Sequence, residues 1–530
     1  MTTSITASNF YKRKFNYLIV GGGTAGLVVA ARLSEDPNTT VGVLEAGPAS
    51  FDDPLINVPG RFGESLSTKY DWQFDTIPQA GLNGRKLSWP RGKVLGETSA
   101  LNFMTWNRGN REDYDAWEEL GSPGWRWDSV LSAFFKKTES FQEPSPVHQA
   151  QHRFHFTADF HDKSGPITSH TTLNNLGVET NSSHFSGSNL GVWTTLTSVD
   201  PKLRTRCYLA TAYCLPNSSR NNLVVLTEAV VNKVTVGASH EVILSAGSVQ
   251  SPQLLELSRV EVVTAMIYEI GPTIIGPDGL HADPKLAELA DLTYSSSQSG
   301  IRAMLPCSLS YVPVSHIMPL QDITDVLSKL STTSGSKRDP VLVKQFSPDK
   351  KRGQIEYLFD VGNWSPYFNS VPGKKYGTML TMLQLPFTKG SIHIPPRSSL
   401  GPSRIEDKSI IDPQYYAGQG GDVDFTIMVA AQKFANRICS TAPPSNIIKT
   451  RISSGLSETT DWHPVGTCSM SGSAGTEAGV VDERPMVYGV KGLRVVDASS
   501  IPLHICSHPQ ATIYAIAEKT ASMILEDRAK

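Results

Sequence analysis

Cysteine is scarce in this 530-residue chain. Its six cysteines, at 207, 214, 307, 439, 468 and 506, contain no C-x-x-C pair and no zinc spacing. That excludes a disulfide-stapled scaffold and points to thiols kept reduced in a cytosolic setting. Excess charge of one sign is missing too. Lys and Arg total 48 against 50 Asp and Glu, a formal net charge of −2, so no basic surplus directs the chain to nucleic acid. No uncharged apolar run approaches the roughly 20 residues of a membrane helix, so no membrane span is expected. The N-terminal "YKRKFNYLIVGGGTAGLVVAARL" runs from basic to apolar like a secretory leader. Its three consecutive glycines at 21–23 would break the apolar helix such a leader uses. A cytoplasmic protein is therefore expected. Sequons at Asn38, Asn181, Asn217 and Asn363 are silent without secretion.

What the chain has is length and glycine. At 530 residues with 42 glycines it exceeds the size of one hydrophobic core, so two or more domains are expected. "NYLIVGGG" is a short apolar run stopped by glycine, which reads as a buried strand. "TAGLVVAARLSED" has helical spacing, and "TTVGVLEAG" reads as a second strand ending at an acid. Strand, glycine turn, helix and strand make a βαβ unit. Further along, strands are expected in "NLVVLTEAVVNKVTV" and "HEVILSAG", and several antiparallel strands between 355 and 395. Helices are expected at 111–120, 128–138, 422–441 and 509–526 and in "SPQLLELS". Residues 261–350 show the weakest pattern, with a loop at "TTSGSKRDP".

Gly21-x-Gly23-x-x-Gly26 falls between the first strand and its helix. The first glycine permits the tight turn, the second lets backbone approach a pyrophosphate, and the third lets helix pack on strand. The helix N-terminus supplies free amides and a partial positive charge for phosphates. Glu45, at the end of the second strand, stands where a carboxylate accepts from ribose hydroxyls. The motif predicts an adenine dinucleotide without separating FAD from NAD.

Two histidines carry the other signal. "DWHPVGTCSM" holds His463 and "CSHPQAT" holds His508. Taken alone, the residues leave several readings open: a metal site, a Cys-His nucleophile with Cys468, a proton-handling pair, or two packed histidines.

The run "WPRGKVLGETSALNFMTWNRGNREDYDAW" (89–117) resembles the flavin-side loop of the glucose-methanol-choline (GMC) family of oxidoreductases. So do "EVILSAGSVQSPQLLELS", "WHPVGTCSM", and "GLRVVDASSIP" followed by "PQATIYAIAEKTASMI". The nearest likeness is to fungal aryl-alcohol-oxidase-like and secondary-metabolite members. The resemblance implies an α/β plus α+β architecture: a doubly wound, Rossmann-like FAD-binding domain and an antiparallel-sheet substrate domain. The segments implied are an N-terminal FAD-binding unit at 14–260, a divergent and shortened central segment at 261–384, and a C-terminal unit at 385–524 with the histidines. It implies FAD as cofactor. Thr24, Ala25, Glu45 and Ala46 would hold its ADP half, with Val231 offering backbone to the adenine. Asn102, Phe103, Met104 and Thr105 would line the flavin and ribityl chain, Ala498 would approach the pyrophosphate and ribityl region, and Pro509 and Gln510 would lie by the flavin's pyrimidine edge.

The resemblance also implies that His463 and His508 face the flavin. His463 would take the hydroxyl proton of a small-molecule alcohol, a hydride would pass to flavin, and oxygen or another acceptor would complete the cycle. An FAD-retaining cyclase without net redox chemistry and an inactive family member are the competing readings, with an NAD-dependent dehydrogenase behind them. The chain departs from the family pattern in several places, among them a following segment with no clear match in 259–290 and a shortened piece between "VNKVTVG" and "HEVILSAG". It reads Gly96-Glu97 where the family has two glycines, and "RVEVV" where a Gly-x-Gly turn is expected. A carboxylate at 97 is costly unless paired or exposed.

Overall fold

The computed structural model describes residues 5–131, 134, 169–200, 203–232, 238–255, 262–272, 277–303, 305, 308–330, 337–347, 350, 352–365, 368–395, 407–452, 462–472, 475 and 479–529. Two sheets organise them. The first has five strands, in the order Leu493–Val495, Glu241–Leu244, Tyr17–Val20, Val41–Leu44 and Leu223–Leu226. All of its pairings are parallel, and Tyr17 stands between Val41 and Glu241. The strands read "YLIV", "VGVL", "LVVL", "EVIL" and "LRV", the near-continuous apolar runs expected of strands covered on both faces. The first strand is central, and chain order reverses beside it. Ligands bind at such a switch point, beyond the carboxyl ends of the strands. Gly21 follows the end of that strand.

The Gly26–Leu33 helix is buried along its whole length and packs against the Gln510–Ala529 helix. Arg32 of the first donates to both carboxylate oxygens of Glu518 in the second, at 2.7 and 2.8 Å. A bidentate pair of this kind fixes orientation as well as distance.

The second sheet has six strands, in the order Ile448–Arg451, Val262–Ile270, Lys375–Leu383, Ile355–Val361, Ser308–Val312 and Gly191–Thr194, all antiparallel. The Gly418–Ser440 helix packs on it. Chain order and sheet membership are interleaved. Gly191–Thr194 comes from the N-terminal part of the chain yet edges the second sheet, and Leu493–Val495 comes from the C-terminal part yet edges the first.

Several sequence expectations need correction. In the expected strand over "NLVVLTEAVVNKVTV" the described residues are extended over Leu223–Leu226; Glu228 is left-handed at φ 56° and turns the chain away, and 233–236 lie outside the described residues. At 128–138 the described residues hold one π-turn, Trp127–Leu131, and 132–133 and 135–138 lie outside them. The weakly patterned 261–350 stretch contains a long strand, Val262–Ile270, and the helices Pro284–Ser297, Leu320–Ser328 and Arg338–Lys344. Part of "TTSGSKRDP" begins that last helix. No helix among the described residues is long and apolar enough to cross a membrane.

Candidate active site

The glycine motif works by close packing. Gly21 has φ 103°, and a Cβ there would lie 2.2 Å from the Ser245 carbonyl oxygen. A Cβ on Gly26 would lie 2.0 Å from the Gly21 carbonyl oxygen. Both positions exclude any side chain, which locks the turn against the neighbouring strand and brings the helix start beneath it. Glu45 then ties the turn down: its carboxylate accepts from the Gly22 amide at 2.8 Å and the Gly47 amide at 2.7 Å. Desolvation outweighs those amides and pushes its pKa up to about 7.

Two cavities flank this turn. The smaller, about 480 Å³, is lined by Gly21, Glu45 and Ala46 and, across from them, Val231. The larger, about 1160 Å³, is lined by Thr24 and Ala25 at the helix start and by Asn102, Phe103, Met104 and Thr105. Ala498, Pro509, Gln510, His463 and His508 close its other sides. Among the positions expected at the site, only Gly23 and Gly26 line neither cavity. Gly23 lies against Glu97, and Gly26 lies inside the turn.

Segments far apart in sequence converge on the larger cavity, and hydrogen bonds hold them in register. Asn102 donates to Gln510 at 2.9 Å and accepts from the Met104 amide and from Arg206. Asp497 accepts from the Gly247 amide at 2.9 Å and the Ser251 hydroxyl at 2.6 Å, which anchors the Ala498–Ser500 turn. The segment after His463 runs along that turn, with the Cys468 amide donating to the Ser499 carbonyl at 2.8 Å. Arg91, buried, donates to the Trp462 carbonyl at 2.6 Å and fixes the chain just before His463. Three non-glycine residues of the lining, Glu97, Met104 and Trp462, have left-handed φ of 49°, 61° and 58°. Each costs about 1–3 kcal/mol, strain that clusters where function over-determines the backbone.

The histidines meet. Their ring centroids are 4.9 Å apart, edge to face, with both rings half-buried. His508 Nε2 lies 3.0 Å from Glu356 Oε1, and Glu356 is fully buried on the Ile355–Val361 strand of the second sheet. Gln384 donates to its other oxygen at 3.1 Å. A third histidine, His504, stacks 6.5 Å from His463 and holds the Ile505 carbonyl at 2.7 Å through Nδ1. Cys468 is buried, and desolvation raises its thiol pKa well above the ordinary value. A thiol that keeps its proton is no nucleophile, so the Cys-His reading has no support. Among the described residues no three His, Cys, Asp or Glu side chains are grouped to hold a metal ion.

Glu356 and Arg91 were not anticipated from the sequence. Glu356 sits in "IEYLFDV", where it and Asp360 read as the solvent face of an alternating strand. The signal available was that the alternation places it beside buried Tyr357 and Ile355 in a strand with both faces covered. Arg91 gave no signal beyond membership of the Gly-rich loop.

The donor set fits a dinucleotide at both ends. The small cavity offers a carboxylate and backbone beside the glycine turn, and the large one offers amide, hydroxyl and apolar walls that end at the histidines. One residue between them, Glu97, does not fit.

Comparisons with known proteins agree with this arrangement. Residues 15–240 and 386–517 each match a family model described as GMC oxidoreductase. A dehydrogenase of Monascus purpureus is 30% identical over 99% of this chain and 98% of its own. A dehydrogenase of Armillaria gallica is 32% identical over 99% and 95%. Among solved structures, an FAD-dependent oxidoreductase from Chaetomium thermophilum superposes with a TM-score of 0.77 at 22% identity, covering 97% of this chain and 100% of that one. A formate oxidase from Aspergillus oryzae gives 0.79 at 20% identity, covering 97% and 99%. The parallel sheet with its glycine turn is thus the FAD-binding region of a known fold, and the antiparallel sheet is its companion. By its two matched segments and its full-length relatives, the chain belongs to the GMC oxidoreductase family.

Proposed function

We propose that this chain is an FAD-dependent oxidoreductase that converts a primary alcohol, aromatic or otherwise apolar, to its aldehyde. The observation that carries this is the pair His463 and His508, rings 4.9 Å apart, in the same cavity as the dinucleotide-side residues. Thr24, Ala25, Glu45, Ala46 and Val231 would hold the ADP half of the cofactor. Asn102, Phe103, Met104, Thr105, Ala498, Pro509 and Gln510 would hold the flavin half. Flavin supplies an acceptor for a hydride, chemistry that no side chain offers.

The side chains handle the proton and the substrate. An ionised carboxylate only accepts hydrogen bonds, so Glu356 places the proton of His508 on Nε2. Held in this way, His508 orients the substrate oxygen. His463 takes the hydroxyl proton, a role contributing about 10²–10⁴ in rate. Phe103 and Trp462, with ring centroids 6.1 Å apart, share the cavity with the pair and favour an aromatic or apolar substrate over a sugar. Oxygen or another small acceptor completes the cycle.

The test is product formation. Purified protein loaded with FAD and given a panel of primary alcohols with an electron acceptor is expected to yield the matching aldehydes, aromatic ones fastest. Loaded protein that makes no aldehyde from any of them contradicts the reading.

A further inference from the structure

Glu97 stands in the wall between the two cavities; it and Gly92 line both. Its side chain is laid into the glycine turn. A Cβ added to Gly23 would lie 1.9 Å from Glu97 Oε2, and one added to Gly247 would lie 2.6 Å from Glu97 Oε1. The Thr24 backbone amide faces the same carboxylate and favours its ionised form. Gly23 and Thr24 open the Gly26–Leu33 helix, and in dinucleotide folds this is the place of the pyrophosphate. The chain's own carboxylate therefore rests on the seat of an anion. Its backbone conformation, φ 49°, is one that glycine adopts without strain and glutamate does not.

The surrounding charges sharpen the conflict. Glu45, at the end of the Val41–Leu44 strand, and Asp497, after the Leu493–Val495 strand, face Glu97 as like charges. Arg91, on the loop before it, is the opposing cation. The two histidines belong to the far end of the larger cavity. Three carboxylates gathered in one desolvated space do not all ionise readily, and a pyrophosphate would bring more negative charge.

We propose that the Glu97 carboxylate competes with the cofactor's pyrophosphate for the Gly23–Thr24 seat, so that the cofactor binds as Glu97 withdraws or takes up a proton. Glu97 is then a residue that sets how tightly, and at what pH, this chain holds its dinucleotide. The inference rests on the FAD reading above. Desolvation and the two neighbouring acids already hold its pKa well above the usual carboxylate value, in keeping with a proton resident on that seat. Protonated, the group can donate to a phosphate oxygen; ionised, it repels one. Affinity for the cofactor is therefore expected to fall as pH rises.

The test titrates FAD, and separately ADP as a redox-silent probe of the same seat, into the full chain and its E97G and E97Q variants. Fluorescence quenching reads FAD and calorimetry reads ADP, each at about pH 6 and about pH 8.5. E97G gives the turn the residue its backbone prefers, and E97Q keeps the shape without the charge, so one variant covers a folding failure of the other. The expected result is that both variants bind FAD and ADP at least about 10-fold tighter than the wild-type chain at the higher pH. The gap narrows at the lower pH, and the pH dependence is largely lost in the variants. Equal affinities for wild type and variants at both pH values would overturn the inference while leaving FAD as cofactor intact. Failure of every folded variant to bind either ligand would sink the FAD reading and this inference with it.

Discussion

Glu356 divides the labour between the two histidines. It is fully buried and accepts from Gln384, and its remaining contact is His508 at 3.0 Å. Exchanging it for glutamine keeps the shape but removes the carboxylate that orients the His508 ring. For Glu356→Gln, kcat/KM for a primary alcohol is expected to fall at least about 10-fold while FAD binding is kept. An unchanged kcat/KM would mean that Glu356 only fills space.

At the scale of elements, the site depends on a joint that touches no cavity. Asp113, on the Arg111–Glu119 helix, accepts from the Asn110 amide at 2.6 Å, the Cys506 amide at 3.0 Å and Arg352 at 2.9 Å. Asp113 and Arg352 are both fully inaccessible to solvent. One carboxylate thus caps a helix, grips the loop two residues before His508, and neutralises a cation that enters the second sheet. Asp113→Ala leaves Arg352 buried and uncompensated, which costs about 3–5 kcal/mol. A chemical-denaturation midpoint lowered accordingly is the expected outcome, and a change within error would show that Arg352 finds another partner.

This joint also shows where sequence reading stops. The first strand, its glycine turn and its helix were legible because each rests on local rules: an apolar run, a positive φ, a 3.6-residue period. The His-Pro segments were legible as chemistry, but only the family resemblance joined them as a pair, since 45 residues separate them in sequence. Glu356, Arg91 and Asp113 were not legible as functional, because their roles exist only once distant strands and loops meet. The Val262–Ile270 strand escaped notice for a related reason: it lies inside its sheet and pairs with Lys375–Leu383 and Ile448–Arg451, long-range partners that no local window contains.

Over the whole molecule, the two sheets exchange edge strands, and the large cavity draws its walls from the glycine turn, the 97–105 loop and both histidine segments. The arrangement brings a dinucleotide-binding turn and a proton-handling pair to one space, and that convergence is the central claim. It is tested most directly by mixing FAD-loaded protein anaerobically with a primary aromatic alcohol and following the loss of yellow colour in a stopped-flow instrument, for the wild-type chain and for His463→Ala. The account predicts bleaching of the wild-type flavin, and bleaching slowed at least about 10²-fold in the variant. A bound flavin that no primary alcohol reduces, or a variant reduced at the wild-type rate, would contradict it.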